Sequence, residues 1–234
     1  LPSTELVAPI SRVMVPGFAK MSDVSMISKS YVRLLGLITL LILPVGVGIA
    51  AVAEPLVLAA LGDKWIAAAS LIAILGLNGA IDSTQSNNAA VCLALGQPRK
   101  VTIVNIAFVL VFFPALYFFM HAYGVIGVGY AYLLTQATNV PLSMTVTKRF
   151  LNFRWMDVAA VVWRPILAAA AMYLVVTSFD HTVASYSPWA RLLLDAGVGA
   201  VCYAAVVLLL WTVTARPDGA EAFCLKKAKL LYPA

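Results

Sequence analysis

Between Lys100 and Lys148 lie 47 residues without a single Asp, Glu, Lys or Arg. A water-facing chain cannot hide that much uncharged sequence, whereas a bilayer core of about 30 Å is crossed by about 20 helical residues. The stretch therefore predicts two crossings, separated at His121-Ala122-Tyr123-Gly124. In hydrocarbon each unpaired backbone amide costs several kcal/mol, so only helices or closed barrels span it. Barrel strands alternate polar and apolar residues over about ten positions; runs such as Val206-Val207-Leu208-Leu209-Leu210 do not. The expected fold class is all-α, a polytopic membrane protein. Composition agrees: 62% apolar and 11% charged residues, against roughly 45–50% and 25% in ordinary globular domains, exclude a soluble domain.

Walking from charge to charge along the rest of the 234 residues gives about six transmembrane helices in a membrane unit over 34–214. Their approximate limits are 34–61, 65–95, 101–120, 124–147, 158–179 and 192–213. Residues 215–234 read as a tail. Pro44, Pro114 and Pro141 fall inside spans, where a proline removes a helix hydrogen bond and bends the axis. Pro44 and Pro114 are hinge candidates.

Charge along the chain predicts orientation. Fourteen of the 16 Lys and Arg collect in alternate connections, and only Lys64 and Arg191 fall on the other side. By the positive-inside rule both ends of the chain are expected in the cytoplasm. The net charge of +6 then reads as a topology signal with contact to anionic membrane lipids. Nucleic acid is not an expected partner, because the charge is dispersed and no reader motif accompanies it. Cys92, Cys202 and Cys224 are odd in number and unclustered, indicating neither a disulfide framework nor a metal site.

Residues 1–33 contain no initiating Met and no secretory signal pattern, which leads to the expectation of a piece of a longer protein. Leu6, Ile10, Val13, Met14, Gly17 and Phe18 recur at helical spacing. That suits the cytoplasmic end of a preceding membrane helix followed by a surface segment. Six spans alone are expected to leave a polar wall facing lipid, which also argues for incompleteness.

Catalytic signatures are lacking: His121 and His181 belong to no metalloprotease or nucleophile motif, so no enzyme activity and no cofactor are expected. The second span is different in kind. A carboxylate at the centre of a membrane helix costs about 2.5–3.5 kcal/mol on insertion scales. Asn78, Asp82 and Gln85 fall at i, i+4 and i+7, on one helix face. That face suits the polar wall of a substrate or ion path; the structural alternative is that Asp82 is paired with a neighbouring helix or lies close enough to the cytoplasmic edge to be solvated. A secondary polar cluster, Thr135, Gln136, Thr138 and Asn139, is expected either to face the same cavity or to bond helix to helix.

Four strings then carry a resemblance: Pro9-Ile-Ser-Arg-Val-Met-Val-Pro-Gly-Phe-Ala-Lys-Met-Ser-Asp23, Glu54-Pro-Leu-Val-Leu-Ala-Ala-Leu-Gly-Asp-Lys-Trp65, Ala94-Leu-Gly-Gln-Pro-Arg-Lys100 and Tyr123-Gly-Val-Ile-Gly-Val-Gly-Tyr130. In order and spacing they resemble the polysaccharide exporter and flippase proteins of the multidrug/oligosaccharidyl-lipid/polysaccharide superfamily. The resemblance implies a bacterial inner-membrane protein with two lobes around a central cavity. Its expected task is export of lipopolysaccharide or exopolysaccharide precursors, carried on undecaprenyl diphosphate, by alternating access. This chain would be roughly the second lobe, with the N-terminal lobe as its missing partner. The resemblance also implies that Arg12 sits on a cavity-lining helix, where a guanidinium would match phosphate oxygens bidentately.

Two other functions compete. An ion-coupled multidrug exporter of the same architecture should show more than one buried carboxylate, whereas Asp82 is the one expected deep in the membrane. A membrane-embedded glycan ligase or polymerase would need a large outer loop for its site, and the longest outer connection is about 180–191.

Overall fold

A computed structural model describes residues 23–180, 182 and 186–214, with only the backbone of Ser86. Arg12, His181, Cys224 and the basic tail lie outside the described residues. Among the described residues there are seven α-helices: α1 Val24–Ala51, α2 Ala53–Ala60, α3 Ala69–Ala94, α4 Pro98–Tyr123, α5 Ile126–Leu151, α6 Trp155–Asp180 and α7 Pro188–Val213. A 3-10 turn, Asp63–Ala68, leads into α3, and the described residues contain no strand.

Local chemistry sets the ends. Asp23 caps α1: one carboxylate oxygen accepts from the Ser25 N–H at 2.9 Å and the other from its hydroxyl at 2.8 Å. These bonds hold the Asp23 carboxyl below the usual carboxylate range. Pro98 opens α4 and Pro188 opens α7, at positions where the missing N–H leaves no gap. Gly124, at φ 61°, ends α4 in a conformation that favours glycine, and its N–H reaches Met120 O at 2.9 Å.

The helices run past the charge-free stretches. α1 begins at Val24 and takes in Lys29 and Arg33, so residues 24–33 belong to the same helix as the run that follows rather than to a separate surface segment. At its other end the expected 34–61 span is divided at Val52, beyond which α2 is a separate short helix. A charge-free run measures the hydrocarbon crossing, and a helix of 26 residues, about 39 Å, continues into the headgroup layer.

Among the described residues five helical segments are able, by length and composition, to cross a membrane: Val24–Ala51, Asp63–Ala94, Pro98–Tyr123, Trp155–Asp180 and Pro188–Val213. α5 has the length, but its composition is diluted by Thr135, Gln136, Ser143 and Thr147, all buried. This is an inverted helix, polar toward its neighbours, as burial in a bilayer permits.

Packing places α1 at the centre. It lies against α3 on one side and α6 on the other, while α5 packs on α3 and α4, and α7 on α6. The α1–α3 crossing is close because both sides are small: a Cβ on Gly46 would stand 2.5 Å from Ala80 Cβ, and one on Gly76 would stand 2.9 Å from Gly46 O. Small residues let membrane helices approach backbone to backbone. Around Tyr31, a cluster of Ile27, Leu35, Val91, Leu151, Phe153 and Val158 closes the basic end of the bundle. By contrast α4 leaves Ile106, Leu110, Phe113, Tyr117 and Phe118 exposed, the composition of a lipid-facing surface.

Candidate functional site

The polar face of α3 turns inward. Asn78 is 1% exposed, Asn87 0%, Asn88 3% and Gln85 9%. The expected polar wall toward lipid is therefore corrected: among the described residues α1 and α5 cover most of it. Asn88 is the hub. Its Oδ1 accepts from the Tyr31 hydroxyl at 2.5 Å, and its Nδ2 donates to Gln85 Oε1 at 2.7 Å and to Ser143 Oγ at 2.9 Å. The Ser143 hydroxyl in turn donates to Gln85 Oε1. Asn87, on the other side of α3, donates to Tyr31 O at 3.3 Å, and Asn78 reaches Gly129 O at 3.4 Å.

Asp82 is half-buried and accepts from Gln136 Nε2 at 3.2 Å. Thus the secondary cluster does meet the first one, through Gln136, and does so as interhelical bonding. Thr135 instead donates to Ala131 O of its own helix at 2.7 Å. Thr138 likewise turns back, to Thr135 O at 2.8 Å.

Beside this network lies a cavity of about 210 Å³ between α3, α4 and α5. α3 lines it with Asp82, Gln85 and Asn88; α4 with Lys100 and Asn105; α5 with Asn139 and Ser143. Two buried atoms on this lining, Gln85 Nε2 and Asn139 Oδ1, have no hydrogen-bond partner among the described residues. Buried amides are normally satisfied, so a donor and an acceptor stand ready for a ligand or water. With the Asp82 carboxylate and the Lys100 ammonium the cavity offers both hydrogen-bonding senses and both signs of charge. Such a lining suits hydroxyl-rich molecules, whose groups each donate and accept.

Asn78 is outside the cavity lining, while Asp82, Gln85 and Asn139 are on it. The sequence reading misses Lys100 and Asn105. In sequence Lys100 is one more topological charge, yet the short Leu95-Gly96-Gln97 turn folds the start of α4 back beside α3. Pro44 and Pro114 lie mid-helix in α1 and α4. A second correction concerns carboxylates: Asp195 on α7 is 0% exposed, more buried than Asp82. Its position hides this in the sequence, because it begins a span, two turns from the helix start. No cavity-lining residue lies on α6 or α7, so Asp195 does not add to the cavity's charge. Among the described residues no group of three metal-ligating side chains converges.

A family profile described as polysaccharide biosynthesis protein matches residues 1–70. The teichuronic acid biosynthesis protein TuaB of Bacillus subtilis (strain 168) is 22% identical over 197 residues, 83% of this chain and 41% of that protein. A protein described as an uncharacterized membrane protein in the cps region of Klebsiella pneumoniae is 24% identical over 143 residues, 61% of this chain and 30% of its own. The chain thus spans less than half the length of these curated relatives. No solved structure matches it. Together with the all-helical apolar architecture, these matches support the resemblance read in the sequence: the chain is similar to membrane proteins of polysaccharide biosynthesis.

Proposed function

We propose that this chain is one lobe of a flippase that moves a lipid-linked oligosaccharide or polysaccharide precursor across the bacterial inner membrane by alternating access. The observation that carries the reading is the cavity, in which unsatisfied amide groups of Gln85 and Asn139 stand beside Asp82 and Lys100 inside an otherwise apolar lobe. A hydrophilic glycan on a diphosphate carrier cannot cross hydrocarbon unaided. A protein that moves it must present hydrogen-bonding groups along a path sheltered from lipid, while the lipid tail stays in the bilayer. Asp82, Gln85 and Asn139 would meet sugar hydroxyls; Lys100, and Arg12 if it faces the same path, would meet phosphate oxygens. An N-terminal lobe would complete the path, and rocking of one lobe against the other would alternate access. Undecaprenyl diphosphate is the expected carrier, and the positive-inside bias supports cytoplasmic ends. The lobe binds and releases its cargo without bond chemistry in this reading, so it is a transporter and not an enzyme.

The test is reconstitution of the complete protein in vesicles with a fluorescent lipid-linked oligosaccharide. Gln85→Ala and Asn139→Ala should each slow leaflet transfer about tenfold, the equivalent of about 1.4 kcal/mol for one lost hydrogen bond. Transfer of a fluorescent organic cation without transfer of the oligosaccharide would overturn the reading in favour of drug export.

A further inference from the structure

At the basic end of the bundle, residues 148–157 form the corner between α5 and α6, and none of them lines the cavity. Asn152, at φ 53°, ends α5, and its N–H donates to Lys148 O at 2.9 Å. Phe153 is buried and stacks on Tyr31 of α1, with ring centroids 5.2 Å apart. Its ring also meets that of Trp155 edge to face at 6.1 Å. Lys148 closes this ladder, with Nζ 4.9 Å from the centroid of the Trp155 ring. Across the turn, Arg154 donates its backbone N–H to Asp157 Oδ2 at 3.3 Å, and its carbonyl accepts from the Asp157 N–H at 3.0 Å. The corner is therefore fixed from both sides, and its one acid is turned back onto the backbone. Lys148, Arg149 and Arg154 set against Asp157 leave it a charge of +2.

The surface beside that charge is apolar. Trp155 and Met156 are exposed, Ala159 and Ala160 follow one turn on, also exposed, and Trp163 comes one turn later. Residues 155, 159 and 163 share a side of α6, so two indoles flank a low step of alanine methyl groups. α6 has 26 residues, about 39 Å, against a hydrocarbon core of about 30 Å, so its first turn reaches the headgroup layer. Tryptophan suits that layer, because its ring is apolar and its N–H polar. An ammonium over an indole face keeps N–H groups for a second partner, and the exposed Arg154 guanidinium matches phosphate oxygens in pairs. We propose that the α5–α6 corner binds one anionic phospholipid of the surrounding bilayer. Lys148 and Arg154 hold its headgroup phosphate, and the upper part of an acyl chain lies on Ala159 and Ala160 between the two indoles. Charge selects the headgroup, and the step in α6 selects a lipid over a free anion.

The site is tested on the complete protein in detergent by native mass spectrometry, titrating phosphatidylglycerol or phosphatidylcholine with the same acyl chains. Phosphatidylglycerol should bind about tenfold more tightly than phosphatidylcholine. Lys148→Gln and Arg154→Gln should each weaken phosphatidylglycerol about fivefold and leave phosphatidylcholine unchanged. Lys148→Arg and Arg154→Lys keep the charge and should keep the binding, which separates lost charge from lost fold. Arg99→Gln, at an exposed basic position at the start of α4 on the same end, should change neither lipid. Equal affinity for the two lipids overturns the proposal. An equal loss in Arg99→Gln would make the preference a property of the whole basic end and overturn the site as well. Displacement of the lipid by inorganic phosphate would replace it by a free-anion site, with the same result.

Discussion

The hydroxyl of Tyr203 on α7 donates a 2.8 Å hydrogen bond to the backbone carbonyl of Leu40 in the middle of α1. Leu40 stands four residues before Pro44, which has no N–H to return, so the proline releases this carbonyl and the tyrosine occupies it. In a bilayer a freed carbonyl is tolerated where a neighbouring helix satisfies it. Tyr203→Phe should destabilise the lobe by about 1 kcal/mol in denaturant titrations in detergent. Pro44→Ala restores the helix bond and should largely suppress that loss in the double variant. An equal loss with and without Pro44 would refute the link.

Tyr31 plays a comparable part at the other end. Both Tyr31 and Asn88 are buried, and removal of the hydroxyl leaves Asn88 Oδ1 without a donor. Tyr31→Phe should therefore cost about 1–2 kcal/mol although it preserves the ring stacked on Phe153. Asn88→Ala should cost more, because it removes the acceptor of the Tyr31 hydroxyl and the donor to both Gln85 Oε1 and Ser143 Oγ. The comparison is read from unfolding midpoints of matched preparations.

At the α1–α3 crossing, Gly46→Ala would push a methyl group to 2.5 Å from Ala80 Cβ. Overpacking of this kind typically costs about 1–3 kcal/mol. Gly48→Ala, two residues on, meets only Met172 Cε at 3.9 Å and should be nearly neutral. Thermal unfolding of the two variants side by side separates a steric requirement at Gly46 from a general dislike of alanine.

Hydration of the cavity is open to chemical test. In a variant with its native cysteines replaced, Asn105→Cys places a thiol on the cavity lining, whereas Leu110→Cys, at a site 68% exposed, places one on the lipid-facing side of α4. A water-soluble thiol reagent attacks the thiolate, which needs water to form. Labelling of the Asn105→Cys variant should exceed that of the Leu110→Cys variant by on the order of tenfold or more. Equal rates would mean that the cavity is no wetter than the outer face of α4.

The sequence by itself determined the class of fold and, among the described residues, where the long apolar helices run, because lipid permits only regular, self-satisfied backbone and the charges mark where each crossing ends. It also placed Asp82 and Gln85 on one helix face, since the 3.6-residue period is local. What covers that face was decided only by tertiary structure: Tyr31 reaches Asn88 across 57 residues and Ser143 reaches Gln85 across 58. No local pattern encodes such distances. Lys100 became a lining residue because of how α4 folds back. Asp195 is buried in a helix that packs on α6 and α2, and burial, unlike helical period, is a property of neighbours rather than of sequence.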